Sequence, residues 1–319
     1  VTQLHGSRIL TDISRYSVDL YPKLEAETGQ STGFRRTGRI QVARTQGRME
    51  ELRRAISMGK GFGVNIEEIN LREASEMWPL MDTKGLEGAV FIPQDGQTNP
   101  IDTSKALAKG AIQRGAVILE DVRVKAIYQD NGSISGVSTN RGDIACEVVV
   151  NCGGMWARQI GLMCGVSVPL HAAEHMYVVT KPMDGVYPDM PCLRDADGYV
   201  YFRRDREDTN GLLMGGFEPV AKPWGMGGIP ADYAYGVMEP DWDHFRILMD
   251  SAKVRVPAME TAEIDRFMGG PESFTPDNHY ILGEAPELRN FFVAAGFNSG
   301  GISASAGAGK VLAEWIVEG

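Results

Sequence analysis

Hydrophobic positions along the chain switch between helical and strand spacing from one end to the other, the pattern of an α/β or α+β fold. Met49, Leu52 and Ile56, separated by charged residues, predict an amphipathic helix that stops at the glycines of segment 59–63. Residues 89–92 read as a short buried strand broken by Pro93. Leu107, Ala108, Ala111 and Ile112 predict a helix capped by Asp102 or Thr103 and stopped by Gly115. The strongest β pattern follows: a strand over 116–128, a turn at 130–132, a return over 133–139, a second turn at 140–142, and a third strand over 144–151 that closes a meander. Gly153 and Gly154 then open a helix through Trp156, Ile160 and Met163, ended by Gly165.

A second β-rich region runs over 168–217. His171, Ala173, His175, Tyr177 and Val179 share one strand face, and Tyr199, Tyr201 and Arg203 share another. Segment 222–236, rich in Gly and Pro, is a loop suited to a lid. Pro240 starts a helix that turns Trp242, Phe245, Leu248 and Met249 inward, with Pro257 beyond its end. The chain closes with a strand over 290–295, a Gly/Ser loop, and a helix through Val311, Leu312, Trp315 and Ile316. No internal repeat or low-complexity tract divides it.

Composition narrows the function classes. The net charge of −10 and the lack of any basic block argue against nucleic acid as a partner. No apolar run approaches the roughly 20 residues of a membrane span, and residues 1–6 lack the features of a signal peptide. Cys146, Cys152, Cys164 and Cys192 form no CxxC pair, so a reducing compartment is expected: the cytoplasm, or the mitochondrial matrix in a eukaryote. The 38 glycines are well above the usual share of about 7%. Many backbone positions therefore need positive φ or close approach to a ligand.

Two strand–glycine–helix elements draw attention, at 148–156 and 291–309. A strand feeding small residues and then a helix presents backbone N–H groups and a positive dipole end. That end suits a phosphate, a carboxylate or a flavin carbonyl, although the same glycines also suit tight helix–sheet packing. No G-x-G-x-x-G fingerprint occurs in the chain. His171, Glu174 and His175 match H-x-x-E-H, but the flanking pattern is a strand. There, residues four apart are separated by roughly 13 Å, so no metal site is expected. A histidine in a β-rich pocket remains, as proton acceptor or as a structural group. Tyr201 is a ligand-positioning hydroxyl or a packing aromatic.

Segments 270–277 (Gly-Pro-Glu-Ser-Phe-Thr-Pro-Asp), 282–292 and 296–299 together resemble the FAD-dependent sarcosine/dimethylglycine dehydrogenase family. Segments 24–29, 79–81, 93–96, 150–157 and 177–180 extend the resemblance over essentially the whole chain, most strongly to the sarcosine dehydrogenase branch. It implies a D-amino-acid-oxidase-type fold, with a FAD-binding domain (1–36, 96–165, 273–319) interleaved with a β-sheet-rich substrate domain (37–95, 166–272). By the same resemblance Val124 meets the adenine, and Gly153, Gly154 and Trp156 lie along the cofactor's middle. Gly296, Phe297, Asn298, Ser299, Gly300, Gly301 and Ile302 approach the isoalloxazine. His175 and Tyr201 are the implied catalytic residues, and Arg203 a residue for the substrate carboxylate.

The implied reaction oxidises the C–N bond of an N-methylated amino acid by hydride transfer to flavin N5. The resulting iminium yields formaldehyde or a folate-bound one-carbon unit. Family members begin with a dinucleotide-binding strand–loop–helix, expected here ahead of Val1 together with any histidine that links FAD covalently. A folate-binding domain and an electron-transfer flavoprotein are further expected partners. A non-catalytic alternative comes from segments 170–175 and 241–245, which resemble the pyruvate dehydrogenase phosphatase regulatory subunit. A nicotinamide-dependent dehydrogenase is disfavoured by the C-terminal glycine element.

Overall fold

The computed structural model describes residues 1–205 and 209–319, so 206–208, within the second β-rich region, lie outside the described residues. In chain order the helices are α1 (Arg8–Thr28), α2 (Gln46–Phe62), α3 (Leu71–Met77), α4 (Pro100–Gln113), α5 (Ala157–Leu162), α6 (Trp242–Arg255) and α7 (Gly301–Glu318). The strands are β1 (Arg39–Ala43), β2 (Glu67–Ile69), β3 (Gly88–Ile92), β4 (Val124–Asp130), β5 (Ser133–Thr139), β6 (Gly142–Ala145), β7 (Val149–Asn151), β8 (His171–Pro182), β9 (Cys192–Asp195), β10 (Val200–Arg204), β11 (Gly211–Gly216), β12 (Ile264–Phe274), β13 (Ile281–Glu284) and β14 (Phe291–Ala295). They form two compact units. The first comprises Val1–Gly110, His175–Ala221 and Gly236–Gly270; the second comprises Ala111–Glu174, Lys222–Tyr235 and Pro271–Gly319.

The first unit is built on an eight-stranded sheet of order β12-β8-β11-β10-β9-β1-β3-β2. The β9–β1 pair is parallel, whereas β8–β11, β11–β10, β10–β9, β1–β3 and β3–β2 are antiparallel. One sheet face is apolar. Met176, Val178, Leu193, Val200, Phe202, Leu212 and Met214 bury there against Trp78 and against Phe245 and Leu248 of α6. The other face is covered at its β1–β3 end by α2, whose Met49 and Leu52 pack with Ala43, Val90 and Ile92. Across β8, β11, β10 and β9 that second face carries Tyr177, Gly215, Tyr201 and Arg194 in register.

A buried ion cluster ties this sheet together. The Asp195 carboxylate, fully buried at the end of β9, accepts Arg44 Nε at 2.9 and 3.1 Å, Arg255 Nε at 2.8 Å and the Gly198 N–H at 3.0 Å. Arg255, equally buried, also donates to the Asp82 carbonyl, and the Asp82 N–H returns to the Arg255 carbonyl at 2.9 Å.

Several elements differ from the sequence expectation. Helix α1 is not predicted by periodicity, because half of its buried face is Thr11, Ser14, Ser17 and Thr28 rather than aliphatic. Helix α4 is capped by neither Asp102 nor Thr103: Asn99 Oδ1 accepts the N–H groups of Ile101 (3.0 Å) and Asp102 (3.3 Å). In the second unit the strand expected over 116–128 begins only at Val124, because Val117, Ile118 and Leu119 are exposed and Asp121 adopts a left-handed φ of 56°. The third meander strand also divides. β6 pairs with β5, while β7 leaves to lie parallel to β14 in a three-stranded sheet of order β13-β14-β7. Tyr199, expected on a strand face, precedes β10 with a φ of 63°.

Arg255→Met removes one partner from a buried carboxylate. We expect it to destabilise the first unit by about 3–5 kcal/mol, read as a lowered urea midpoint at unchanged m-value.

Candidate functional site

In the second unit β7 and β14 run parallel and adjacent, with Val293 opposite Asn151. Their C-terminal ends release the two glycine turns side by side. In open α/β sheets this is the edge at which ligands bind.

Each turn is organised by an asparagine. Asn151 Oδ1 accepts the Gly153 N–H at 3.1 Å, and its Nδ2 donates to the Ala157 carbonyl at 2.9 Å, closing the turn onto α5. Gly154 has a φ of 55° and opens a short 3₁₀ turn, Gly154–Trp156, that no side chain caps. Beyond β14, Gly296, Asn298 and Ser299 all adopt left-handed conformations, with φ of 69°, 49° and 63°. Asn298 Oδ1 accepts the Thr275 N–H at 2.8 Å, and Nδ2 donates to the Gly296 carbonyl at 2.8 Å. Gly300 occupies the N-cap position of α7 and supplies no side-chain oxygen to it.

The residues of these turns fit a flavin nucleotide. A Cβ built at Gly154 meets nothing within 4 Å, and one at Gly301 meets only Phe297 Cβ at 3.8 Å. The missing side chain at Gly301 is therefore not demanded by protein packing; it leaves open space before the positive end of an 18-residue helix. Phe297 stacks on Tyr280 with centroids 4.7 Å apart. The Tyr280 hydroxyl is buried without a hydrogen bond, and burial pushes its pKa up to about 12. Sequence reasoning passed over Tyr280, since only the fold brings it against Phe297. Ile302 lies half-buried in the first turn of α7. Trp156 sits 6.5 Å from Tyr233, which lies 4.7 Å from Trp224 on the 222–235 segment. Val124 heads β4 opposite Thr139, in the separate β4-β5-β6 sheet.

In the first unit His175 and Tyr201 come together through a residue that sequence reasoning missed. Phe217, just past β11, lies 4.9 Å from the His175 ring and 6.2 Å from the Tyr201 ring. Two-residue alternation from Gly215 was the available signal. Gly215 sits between the tyrosines: a Cβ there would lie 2.6 Å from the Tyr201 hydroxyl and 3.1 Å from Tyr177 Cβ. Its absence lets the Tyr201 hydroxyl lie over β11 toward β8. His175 itself is buried. Arg203 directs Nη1 to the carbonyls of Arg204 (3.0 Å) and Asp205 (2.9 Å). The H-x-x-E-H residues lie on strand β8, and Glu174 pairs with Lys222 at 3.3 Å.

The buried histidine on the sheet of the first unit and the two glycine turns of the second are each compatible with the class of FAD-dependent oxidoreductases. The profile of the FAD dependent oxidoreductase family (DAO) matches residues 2–315, and the chain belongs to that family. It is 40% identical over its full length to 4-methylaminobutanoate oxidase (formaldehyde-forming) of Paenarthrobacter nicotinovorans, covering 38% of that protein. It is likewise 40% identical over its full length to the mitochondrial pyruvate dehydrogenase phosphatase regulatory subunit of Mus musculus, covering 36% of that protein. Identity to mitochondrial sarcosine dehydrogenase of Mus musculus is 40% over 93% of the chain, covering 32% of that protein. The chain thus spans about a third of the length of these relatives. The solved L-proline dehydrogenase of P. horikoshii superimposes with a TM-score of 0.88 at 27% identity, over 100% of this chain and 81% of that one. The D-amino-acid-oxidase-type fold and FAD as the family's cofactor follow.

Two outcomes are expected. Gly301→Val changes unfolding stability by no more than about 0.5 kcal/mol but lowers bound flavin, measured as the flavin-to-protein absorbance ratio. The second concerns Tyr280, whose proton is held more tightly in the folded state, so the folded protein loses stability as pH rises from about 10 toward 12. An alkaline titration of phenolate absorbance shows one late-ionising tyrosine that is missing in Tyr280→Phe.

Proposed function

We propose that this chain is the catalytic core of an enzyme that oxidises an N-methylated amino acid to an iminium, which water releases as formaldehyde and the demethylated amine. The reading is carried by His175, a buried imidazole held by Phe217 on the same sheet face as Tyr201. It is supported by 40% identity to an oxidase and a dehydrogenase of N-methylated amino acids. When bound, FAD supplies the two-electron acceptor for hydride from the carbon beside nitrogen. Gly153, Gly154 and Trp156, with Gly296 through Ile302, hold that cofactor, and Val124 meets its adenine.

The chain's own residues prepare the amine. Only the neutral amine has a lone pair to assist loss of hydride, and a partly desolvated pocket disfavours the ammonium form. His175 takes the amine proton at a ring nitrogen. Tyr201 orients the substrate through its hydroxyl, and Arg203 contacts the substrate carboxylate. The cofactor part comprises 1–36, 96–165 and 273–319, and the substrate part 37–95 and 166–272. This is a division by ligand role, distinct from the two units of dense packing. Folate and an electron-transfer flavoprotein are the proposed partners of the whole protein, with the mitochondrial matrix its place in a eukaryote.

A second reading, a flavoprotein-like regulatory subunit without catalysis, is favoured by the equal 40% identity to the phosphatase regulatory subunit. The 241–245 segment, one of the two that carry that resemblance, is a scaffold feature. Asp241 caps α6 by accepting the His244 N–H at 3.0 Å, and His244 Nε2 meets Glu218 Oε1 at 3.0 Å. Both readings therefore accommodate it.

Anaerobic addition of sarcosine, dimethylglycine or 4-methylaminobutanoate is expected to bleach the flavin's visible band. Full oxidation with all three leaves the regulatory reading. His175→Ala is expected to keep its flavin and lose roughly 10²–10⁴-fold in turnover, with an altered pH profile.

A further inference from the structure

We propose that Arg194 anchors the substrate carboxylate, extending the binding face from β8 across to β9. The inference rests on the amine-oxidation reading above and adds to it a second recognition element.

The placement follows from strand alternation. In β9, Leu193 and Asp195 are fully buried on the apolar face, so Arg194 between them points to the opposite face and is exposed. Arg194 pairs across the strands with Tyr201, which pairs with Gly215, which pairs with Tyr177. The residues that hold the amine and Arg194 thus share one face. Helix α2 covers the β1–β3 end of that face, and its Arg48 and Glu51 act on Arg194, which also pairs across the strands with Gln41 of β1.

Charge bookkeeping singles this arginine out. Arg39 meets Asp95 at 3.0 Å, and Arg48 meets Asp197 at 2.9 Å and Glu51 at 2.5 Å. Arg44 and Arg255 share Asp195 at 2.9 and 2.8 Å. Arg203 uses Nη1 on the carbonyls beside it. Among the described residues Arg194 has no acidic partner within ion-pair distance. Solvent reaches it, yet surrounding protein desolvates it, and Arg39 and Arg48 repel it. Its pKa falls to about 10, although Glu51 and Tyr201 act the other way. An exposed guanidinium set beside like charges and lacking a counter-charge is an unfavourable arrangement, which a ligand carboxylate reverses through paired N–H···O bonds. The chemistry recognised is a planar carboxylate on the same molecule as the secondary or tertiary amine.

The test uses the flavin-loaded protein with three probes: sarcosine, the carboxylate-free amine N-methylpropylamine, and (methylthio)acetate, an unreactive acid in which sulfur replaces the nitrogen. For Arg194→Gln we expect the KM for sarcosine and the Kd for (methylthio)acetate to rise roughly 100-fold. The kcat stays within about threefold, and kcat/KM for N-methylpropylamine is unchanged. Arg194→Lys retains the fold and the positive charge and recovers part of the loss, which guards against a folding defect in the glutamine variant. An unchanged Kd and KM, or an equal loss with the carboxylate-free amine, overturns the proposal. If no N-methylated amine reduces the wild-type flavin, the functional reading fails. Calorimetric binding of (methylthio)acetate to wild type and variant then still decides the role of Arg194.

Discussion

A single buried carboxylate sets the geometry on which the first unit depends. Asp195 ends β9 inside the apolar face, where an ionised group is tolerated only when fully paired. Arg44 from beyond β1, Arg255 from the end of α6 and the Gly198 amide supply that pairing. A Cβ at Gly198 would lie 2.1 Å from Arg44 Nη2, so the turn between β9 and β10 must carry glycine there for the arginine to reach its partner. Tyr199, next in the chain, takes a left-handed φ of 63° to lead into β10. The charge cluster thus pins the end of β9 at Asp195, opposite Val200, and Arg194 and Tyr201 are the next pair along the same two strands, facing the other side.

The second unit solves a different problem with two asparagines. Loops that present bare backbone to a ligand have no side chains of their own to hold them. Asn151 and Asn298, at or just beyond the ends of neighbouring parallel strands, fasten the glycine turns from behind through hydrogen bonds of 2.8–3.1 Å. Asn298 does this from the left-handed region, which asparagine tolerates better than most residues. The glycine surplus thus has two distinct sources. At Gly296, a Cβ would strike Thr275 Cγ2 at 2.5 Å, so packing requires the glycine; at Gly301 a Cβ would meet only Phe297 Cβ at 3.8 Å, so packing does not require it.

Much of this architecture was legible in the chain. Helices α2, α6 and α7, strands β3, β5 and β14, and the strand nature of the H-x-x-E-H segment all follow from local periodicity and from glycine or proline stops. Non-local choices were not. Residues 144–151 look like one strand, yet β6 stays with the meander and β7 leaves for β14, a decision made by which sheet buries Asn151 and Phe291. Helix α1 hides because hydroxyl side chains form half of its buried stripe: Thr11 and Thr28 turn their Oγ1 back to the carbonyls of Ser7 (2.8 Å) and Leu24 (2.6 Å) within the helix. The grouping of His175, Phe217 and Tyr201 spans three strands, and no local spacing encodes it.

The equal identity to two enzymes and to a regulatory subunit has a physical explanation in this division of labour. Asp195 with its arginines, the two asparagine-fastened turns and the Asp241 cap are needed to build the fold whether or not it turns over a substrate. Such residues are buried or hydrogen-bonded, so the fold itself constrains them with or without a reaction. Phe217, Tyr201 and Arg194 lie on a partly open face, so their replacement leaves the core intact. Stability therefore constrains these three positions less than it constrains the buried cluster. Identity over the whole chain weighs the constrained scaffold and that open face alike, and for that reason it does not by itself separate a catalyst from a scaffold.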